Sequence, residues 1–394
     1  MRAGESLSRE LKLLACEQGF ADLAIAPAVT PAGFHGLLRW LQSGHHGEMS
    51  WMESRAELRR HPESLLPGCR SVLMAAMNYH DGSVAGAADG ARISRYAWGS
   101  EDYHVLLKRR LAPVVAHLRA ALPSSKARVV VDSAPLLERD FGRLAGLGWF
   151  GRNTMLISRS FGSWFFLAAI LTDAELVCDG SEEGNWCGTC TRCLDECPTG
   201  AFPESGVLDA KRCISYLTIE LRDRGIPREL RAGVGGWLFG CDVCQEVCPW
   251  NRFAAETVLP EFRDRSREWP VMVDPAGLLR MCEAEFRLIF GGTALERTGC
   301  EILRRNAAIV LGNLPDLGGE SELICALEDG SGLVRAAAGW ALCRRGGAAA
   351  VAAVRERLCR EEDAVVSADL RLSLLEDSGR RGVVSGGDEM GGLC

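Results

Sequence analysis

Two closely spaced cysteine runs near the middle of the chain constrain its fold more than any other feature. The first reads CGTCTRCLDECP over residues 187–198, and the second reads CDVCQEVCP over residues 241–249. Such short intervals let thiolates surround the corners of an iron–sulfur cubane. The proline that closes each run turns the chain away from the metal. The two runs therefore predict two iron–sulfur clusters.

Eight cysteines are the predicted ligands. In proteins with two such runs, the last cysteine of each run crosses to the other cluster. One [4Fe–4S] cluster is assigned to Cys187, Cys190, Cys193 and Cys248, and the other to Cys197, Cys213, Cys241 and Cys244. Cys213 completes the second set because the second run has Leu238 where a further cysteine would stand. Zinc sites and disulfides also use paired cysteines, but a repeated run that ends in Cys-Pro favours clusters.

Length and composition indicate a multi-domain protein of a reducing compartment. The chain has 394 residues, too many for one ordinary domain, and its cysteines outside the predicted ligands are scattered singly. The first residues lack a signal-peptide core, and the longest apolar run, Trp164 to Leu171, is too short to cross a bilayer. We therefore expect a cytoplasmic protein with no membrane partner. A net charge of −7 limits nucleic-acid binding to local basic faces.

An acidic residue follows a strand in the first part of the chain. The stretch from Ala127 to Val131 predicts a strand with Asp132 at its carboxyl end, where reactive groups gather in an α/β layer. Asp132 could instead cap a helix that starts near Pro135. The glycines of residues 146–151 match G-x-G-x-x-G, but they follow a helical stretch, so a dinucleotide site is rejected. Their backbone still allows a large flat or phosphate-bearing ligand to approach closely.

The last third of the chain contains a repeat of roughly thirty residues, which predicts a short HEAT-like array of helix pairs. Arg305-Asn-Ala-Ala aligns with Arg335-Ala-Ala-Ala, and more loosely with the segment from Val366. Arginines recur near the ends of these helices, where a groove for phosphates could form. A solvated charged face is the alternative for these arginines.

Several segments together resemble epoxyqueuosine reductases, and the resemblance covers almost the whole chain. The segments are Val131–Pro135 with Glu138, Gly146–Asn153, Ile93–Arg95 with Asp102–His104, the two cysteine runs, and Lys211–Tyr216. The resemblance implies a cobalamin-dependent enzyme with two clusters, which converts epoxyqueuosine to queuosine at the wobble position of tRNA. It also implies a fold related to that of reductive dehalogenases. The loop from Trp98 to Asp102 is longer than is usual in the family.

The resemblance implies roles for individual residues. Asp132 matches the proton donor of the family. The expected cobalamin contacts are Arg59, Tyr96, Trp98, Tyr103, His104, Asp132, Gly148, Gly151, Arg152, Asn153 and Ser215. The expected tRNA contacts are Arg212, Arg222, Arg304, Arg305 and Arg335. For Tyr103 and His104, helix capping and packing is the alternative. An external electron donor of the ferredoxin or flavodoxin type and a monomeric state are also expected.

The predicted fold class is multi-domain α+β. We expect an α/β cobalamin-binding catalytic domain at residues 1–175, a ferredoxin-like domain with two [4Fe–4S] clusters at 176–255, HEAT-like helices at 256–378 and a disordered tail at 379–394. Two other functions fit parts of this pattern. One is a cobalamin-dependent, dehalogenase-like reductase of a small molecule, although such enzymes typically carry a twin-arginine export signal. The other is a non-catalytic electron-transfer protein, which would leave Asp132 unexplained.

Overall fold

The computed structural model describes residues 3–82, 90–263 and 274–382. Its first part is built on a four-stranded sheet of order β1-β2-β7-β4. These strands are β1 (Asp22–Pro27), β2 (Ser71–Asn78), β4 (Ala127–Val130) and β7 (Phe165–Thr172). All three strand pairs are antiparallel. Helices and strands alternate as expected, but the rule that ligands gather at the carboxyl ends of parallel strands does not apply to this sheet.

Helices cover both faces of the sheet because its central strands are apolar throughout. Every residue of β2 is buried. On one face, α1 (Ala3–Glu17) and α4 (Tyr103–Ala121) contribute leucines to a core shared with Leu73. On the other face, α5 (Glu138–Leu144) places Phe141 against Val72 and Met74. The sheet therefore fixes the position of the start of α4 relative to the end of β4.

Two small strand pairs connect this sheet to the cysteine segment. Strand β3 (Arg92–Ile93) pairs in parallel with β8 (Trp237–Phe239), which immediately precedes the second cysteine run. Strand β5 (Trp149–Phe150) pairs with β6 (Leu156–Ile157). A Cβ at Gly148 would overlap the Ile157 carbonyl, so this glycine is required by the strand pair itself.

The remaining helices up to residue 263 are short. They are α2 (Gly33–Gln42), α3 (Ser50–Ser54), α6 (Arg192–Asp195), α7 (Ile214–Ile219), α8 (Arg228–Arg231), α9 (Val243–Glu246) and α10 (Pro260–Arg263). Single-turn 3₁₀ segments occur between them, including Arg95–Ala97 and Ala210–Arg212. None of the helices within the described ranges is long and apolar enough to cross a membrane.

A helical array forms the last part of the structure. Its helices are α11 (Pro275–Arg280), α12 (Glu283–Phe290), α13 (Cys300–Asn313), α14 (Glu320–Ala326), α15 (Gly332–Arg345), α16 (Ala348–Arg360) and α17 (Ala364–Gly382). Alanine-rich α13 and α15 are almost entirely buried, so they form the axis of the array. The helix α17 includes residues 379–382 of the predicted disordered tail, and residues 383–394 lie outside the described residues.

Candidate active site and iron–sulfur module

Asp132 adopts a backbone conformation that is uncommon for a residue with a side chain. Its φ is +45°, in the left-handed region, two residues after the end of β4 at Val130. Such a conformation costs about 1–3 kcal/mol. The Asp132 N–H donates a 2.7 Å hydrogen bond to Oε1 of Glu138, the first residue of α5. By accepting this hydrogen bond, Glu138 stabilises the backbone turn at Asp132.

The Asp132 carboxylate is surrounded by donors from other segments. Tyr103 Oη donates to its Oδ2 at 3.1 Å, His104 Nε2 lies 3.1 Å from the same oxygen, and Arg297 Nη1 lies at 3.8 Å. Burial alone would raise the pKa of Asp132, but the hydrogen bond and charge of His104, helped by Tyr103 and Arg297, hold this pKa below its ordinary value. Asp132 is thus ionised in this structure.

His104 lies between two carboxylates. Its Nδ1 is 2.7 Å from Asp102 Oδ1, and its Nε2 faces Asp132. Burial would lower the pKa of His104, yet the hydrogen bonds and charges of the two aspartates raise it to about 9. Asp102 also accepts a hydrogen bond from the His104 N–H and so caps the start of α4. The imidazole is therefore charged near neutral pH.

Glu138 is the third carboxyl group of this site and differs from Asp132 in its protonation. Burial and the nearby negative charge of Asp132 raise the pKa of Glu138 to about 8, although the Asp132 N–H, Arg139 and His104 oppose this shift. The Glu138 carboxyl group consequently holds a proton near neutral pH, whereas Asp132 does not.

Aromatic rings and an arginine from the helical array complete the site. Tyr103 stacks on Phe166 of β7 at 4.3 Å, and Tyr96 meets Tyr103 edge to face at 6.0 Å. Arg297 bridges Asp132 and Glu220, with its Nη2 2.8 Å from Glu220 Oε1. We refer to Tyr103, His104, Asp132, Glu138 and Arg297 as the acid site.

The structure brings the predicted cluster ligands together in two groups, and we refer to residues 187–248 as the cysteine module. The pKa of the Cys193 thiol is raised to about 11, first by burial and then by Cys248, Cys187 and Cys190. Burial and the thiols of Cys244 and Cys213 likewise raise the pKa of Cys241, and Cys197 acts on Cys213. These groups coincide with the two ligand sets of the sequence.

The thiol groups suit cubanes in further respects. Backbone N–H groups of Ser215 and Tyr216 face the Cys213 sulfur, as thiolate ligands require. Among the described residues, no three His, Cys, Asp or Glu side chains are placed to hold one metal ion. A cubane differs from a single ion because each of its four thiolates binds a separate iron.

A buried tryptophan lies beside the first thiol group. Trp149 is 1% exposed and packs against Cys248 and Cys187. Its indole N–H finds no hydrogen-bond acceptor in the part of the chain that the structure describes. The sulfur atoms of a cluster would supply this acceptor, so the surroundings of Cys187, Cys190, Cys193 and Cys248 fit an iron–sulfur cluster.

Comparisons with known proteins agree with this geometry. Residues 186–251 match the family model described as 4Fe-4S double cluster binding domain, residues 59–133 match Epoxyqueuosine reductase QueG, DUF1730, and residues 293–374 match HEAT repeats. The chain is 42% identical over 346 residues to the epoxyqueuosine reductase of Xanthomonas campestris pv. campestris, covering 85% of this chain and 95% of that protein. The Pseudomonas aeruginosa epoxyqueuosine reductase is 40% identical over 349 residues, with 86% and 95% covered.

The chain belongs to the epoxyqueuosine reductase family. The structure also resembles a crystal structure of an epoxyqueuosine reductase with an epoxyqueuosine-modified tRNA-Tyr stem loop, with a TM-score of 0.85 at 28% identity. That match covers 95% of this chain and 99% of the other. The matched segments, with the double-cluster domain at residues 186–251 before the HEAT repeats at 293–374, follow each other in the order expected from the sequence.

The other residues predicted to contact cobalamin have structural partners of their own. Arg59 is buried and donates to the carbonyls of Met52 and Arg55. Trp98 Nε1 donates to the Ile93 carbonyl. Arg152 and Asn153 donate to the Gly188 and Cys244 carbonyls, beside Gly148 and Gly151, and Ser215 follows the ligand Cys213. Tyr96, Tyr103, His104 and Asp132 form one group, so the predicted contacts occupy separate places.

The arginines predicted to bind tRNA divide into buried and exposed ones. Arg305 is 1% exposed and donates to the carbonyls of Leu217 and Leu221, so the prediction that it contacts tRNA is wrong. Its position on the inner side of α13 explains the burial. Arg304 is paired with Asp329, and Arg335 with Glu361. Arg212 and Arg222 are exposed.

Sequence reasoning missed two members of the acid site. Glu138 was noted only as part of a motif, although a glutamate at the start of α5 can reach back to the Asp132 N–H. Arg297 is one of the arginines that recur near the helix ends of the array. No sequence signal indicated that it would reach Asp132, because that contact depends on how the array packs against the sheet domain.

Proposed function

We propose that this chain reduces epoxyqueuosine to queuosine at the wobble position of tRNA. The observation that carries the proposal is the combination, in a member of this family, of two groups of four thiols with an acid site that opens to solvent. The Asp132 side chain is 48% exposed, so a substrate oxygen can reach its carboxylate. Loss of the epoxide oxygen as water takes two electrons and two protons. The clusters of the cysteine module would supply the electrons, and the acid site would supply the protons.

Cobalamin, when bound, would supply a strongly reducing centre for this reaction. The residues of the acid site fit such a group in two respects. The half-buried Tyr96 ring provides apolar area for a flat macrocycle, and the carboxyl group of Glu138, which holds a proton near neutral pH, provides a donor for an amide side chain. We infer that Tyr96, Tyr103 and His104 would hold the cofactor, together with Ser215, which lies two residues after Cys213.

The positions of the two thiol groups support a direction of electron flow. Trp186, Gly188 and Thr189, which flank Cys187 and Cys190, are exposed. By contrast, Cys241 follows Gly240, which lies against Tyr96 of the aromatic group. Cys193 and Cys244 influence each other, so the two groups are adjacent. Electrons from an external donor of the ferredoxin or flavodoxin type would enter at Cys187 and leave beside Cys241.

The tRNA would bind at the edge between the cysteine module and the array. Exposed Arg222 donates to the Arg297 carbonyl, and Arg297 in turn contacts Asp132. A phosphate backbone held by Arg212 and Arg222 would therefore pass close to the acid site, despite the net charge of −7. The solved relative with a modified tRNA stem loop supports this class of substrate. We further propose a cytoplasmic monomer with domains at 1–175, 176–255 and 256–378.

The decisive experiment is anaerobic reconstitution with iron, sulfide and cobalamin, followed by assay on tRNA that contains epoxyqueuosine. Analysis of nucleosides by mass spectrometry should show queuosine formed in proportion to the reductant consumed. Conversion of a halogenated small molecule, with no change in the tRNA, would support a dehalogenase-like reductase instead. Cluster reduction without any product would support an electron-transfer protein.

A further inference from the structure

Asp102 and two side chains of the acid site, His104 and Asp132, form a continuous hydrogen-bonded row. Asp102 Oδ1 lies 2.7 Å from His104 Nδ1, and His104 Nε2 lies 3.1 Å from Asp132 Oδ2. The Asp102 N–H donates at 2.7 Å to the Gly292 carbonyl, which fixes the outer end of the row. At the inner end, the exposed face of Asp132 is available to substrate. The row thus connects the N-terminus of α4 with the point of reaction.

The groups around this row determine where its proton resides. The charged groups that influence the row come from three parts of the chain. Asp102 and Lys108 belong to the first turns of α4 and its cap, and Arg297 belongs to the array. The segment from the end of β4 to the start of α5 contributes Asp132, Glu138 and Arg139. Tyr103 stacks on His104 at 4.1 Å and keeps one face of the imidazole from water. Asp102 and Asp132 raise the pKa of His104 more than burial lowers it, whereas His104 and Arg297 act together to lower the pKa of Asp132. The proton of the row therefore resides on His104.

We propose that His104, oriented by Asp102, is the proton reservoir that reloads Asp132, so that both protons of the reaction enter through one carboxyl group. This inference rests on the proposed function. His104 acts through Asp132 and is thus a positioning and proton-holding residue, while Asp132 alone meets the substrate oxygen. The row explains how an aspartate that is ionised at rest can serve as a general acid.

The steps balance in atoms and electrons. When the first C–O bond breaks, its electron pair stays on oxygen. Asp132 accepts the Nε2 proton of His104 and passes a proton to that oxygen. His104 regains a proton from solvent. When the second C–O bond breaks, the oxygen takes a second proton by the same route and leaves as water. The carbons receive two electrons in total from the reduced clusters and form the alkene.

Glu138 is the competing source of the proton. It holds a proton near neutral pH, but its contact is with the Asp132 backbone N–H and not with the Asp132 carboxylate. Proton transfer from Glu138 would therefore need a route that the described contacts do not provide. Variants of Asp102 distinguish the two sources, because Asp102 contacts His104 and not Glu138.

The test is Asp102→Asn, measured as the pH dependence of single-turnover conversion of epoxyqueuosine in tRNA. Asparagine still caps α4, but without the Asp102 charge the pKa of His104 falls. Because the reservoir is loaded only below the pKa of His104, the alkaline limb of the profile should move to lower pH, with near wild-type rates at acidic pH. Asp274→Asn, at the cap of distant α11, is the matched control and should leave the profile unchanged.

A second variant keeps the inference falsifiable if Asp102→Asn folds poorly. The glutamine side chain of His104→Gln can hydrogen-bond to Asp132 but has no proton acidic enough to transfer, so turnover should fall by roughly two to four orders of magnitude. Added imidazole should partly restore the turnover of His104→Gly. The cluster spectra and tRNA affinity of His104→Gln and His104→Gly should match those of the wild type. An unmoved alkaline limb in Asp102→Asn, or full activity of His104→Gln, would overturn the reservoir. Absence of conversion by the wild type would instead refute the proposed function.

Discussion

The cysteine module and the acid site differ in the source of the opposite charge that balances their ionised groups. In the acid site, each ionised group faces an opposite charge within the protein: Asp132 faces His104 and Arg297, and Arg297 faces Glu220. In the cysteine module, burial and the neighbouring thiols raise the pKa values of Cys193 and Cys241. Thiolates in such surroundings need the positive charge of iron. The acid site is thus organised by the protein alone, whereas the cysteine module depends on its metal.

The largest expected effect comes from removing a thiol ligand. Cys187→Ser and Cys213→Ser should each lose one cluster, so iron should fall from about eight to about four atoms per chain. All turnover should disappear because the electron route is broken. Cys178→Ser is the control, since Cys178 lies outside both thiol groups. Iron analysis of anaerobically purified protein gives the result, and a full iron count in Cys213→Ser would exclude Cys213 as a ligand.

Asp132→Asn should have the next largest effect and should leave the cysteine module intact. Asparagine tolerates the left-handed backbone but cannot give a proton to the departing oxygen. Turnover should therefore fall by roughly two to four orders of magnitude, while iron content and tRNA affinity stay unchanged. Single-turnover assays with saturating tRNA measure the loss. A near wild-type rate would mean that the proton comes from another group.

Arg297→Gln should have a smaller effect, because Arg297 is one of several groups that act on Asp132. The Nη1 atom of its guanidinium lies 3.8 Å from Asp132 Oδ2, and its charge lowers the pKa of Asp132. The Arg297 side chain is 44% exposed. Loss of this charge should raise the pKa of Asp132 and reduce turnover about tenfold, through weaker positioning of the carboxylate. Arg287→Gln, on the exposed side of α12, is a matched control. Equal rates for both variants would show that Arg297 has no part in the acid site.

The smallest effect is expected from Trp149→Phe, which tests the fit of the first cluster. Phenylalanine fills most of the space but lacks the indole N–H. Loss of a hydrogen bond to cluster sulfur should make the midpoint potential of that cluster more negative. A redox titration followed by electron paramagnetic resonance measures this change, with the second cluster as an internal reference. If both potentials stay at their wild-type values, the N–H does not bond to the cluster.

The cysteine module was accessible to sequence reasoning because its ligands are set by local spacing. The intervals between Cys187 and Cys197 suit the geometry of a cubane. The prediction that Cys213 is a ligand came from a missing position, and the Cys213→Ser variant tests it. The apolar run from Trp164 to Leu171 likewise matches the strand Phe165–Thr172 to within one residue, since its apolar pattern is strong.

The acid site was only partly predictable because it is assembled from distant segments. Asp132 and His104 could be proposed from their motifs, but Arg297 reaches them across 165 residues of sequence. The burial of Arg305 was also missed, since an arginine in a helix usually indicates a solvated face. Its guanidinium instead satisfies the last carbonyls of α7 and the turn that follows, which is a tertiary requirement.

The burial of Arg305 has a consequence for how this enzyme can be divided or recombined. Arg305 and the adjacent Asn306 donate to the carbonyls of Leu217, Thr218 and Leu238, next to the ligands Cys213 and Cys241. A shortened chain that ends before α13 would leave these carbonyls buried without donors, and one that ends before Arg297 would also lose the contact of that residue with Asp132. Chimeras that exchange repeat arrays between relatives should therefore make the junction after Asn313, so that residues 290–313 stay with the redox half of the protein.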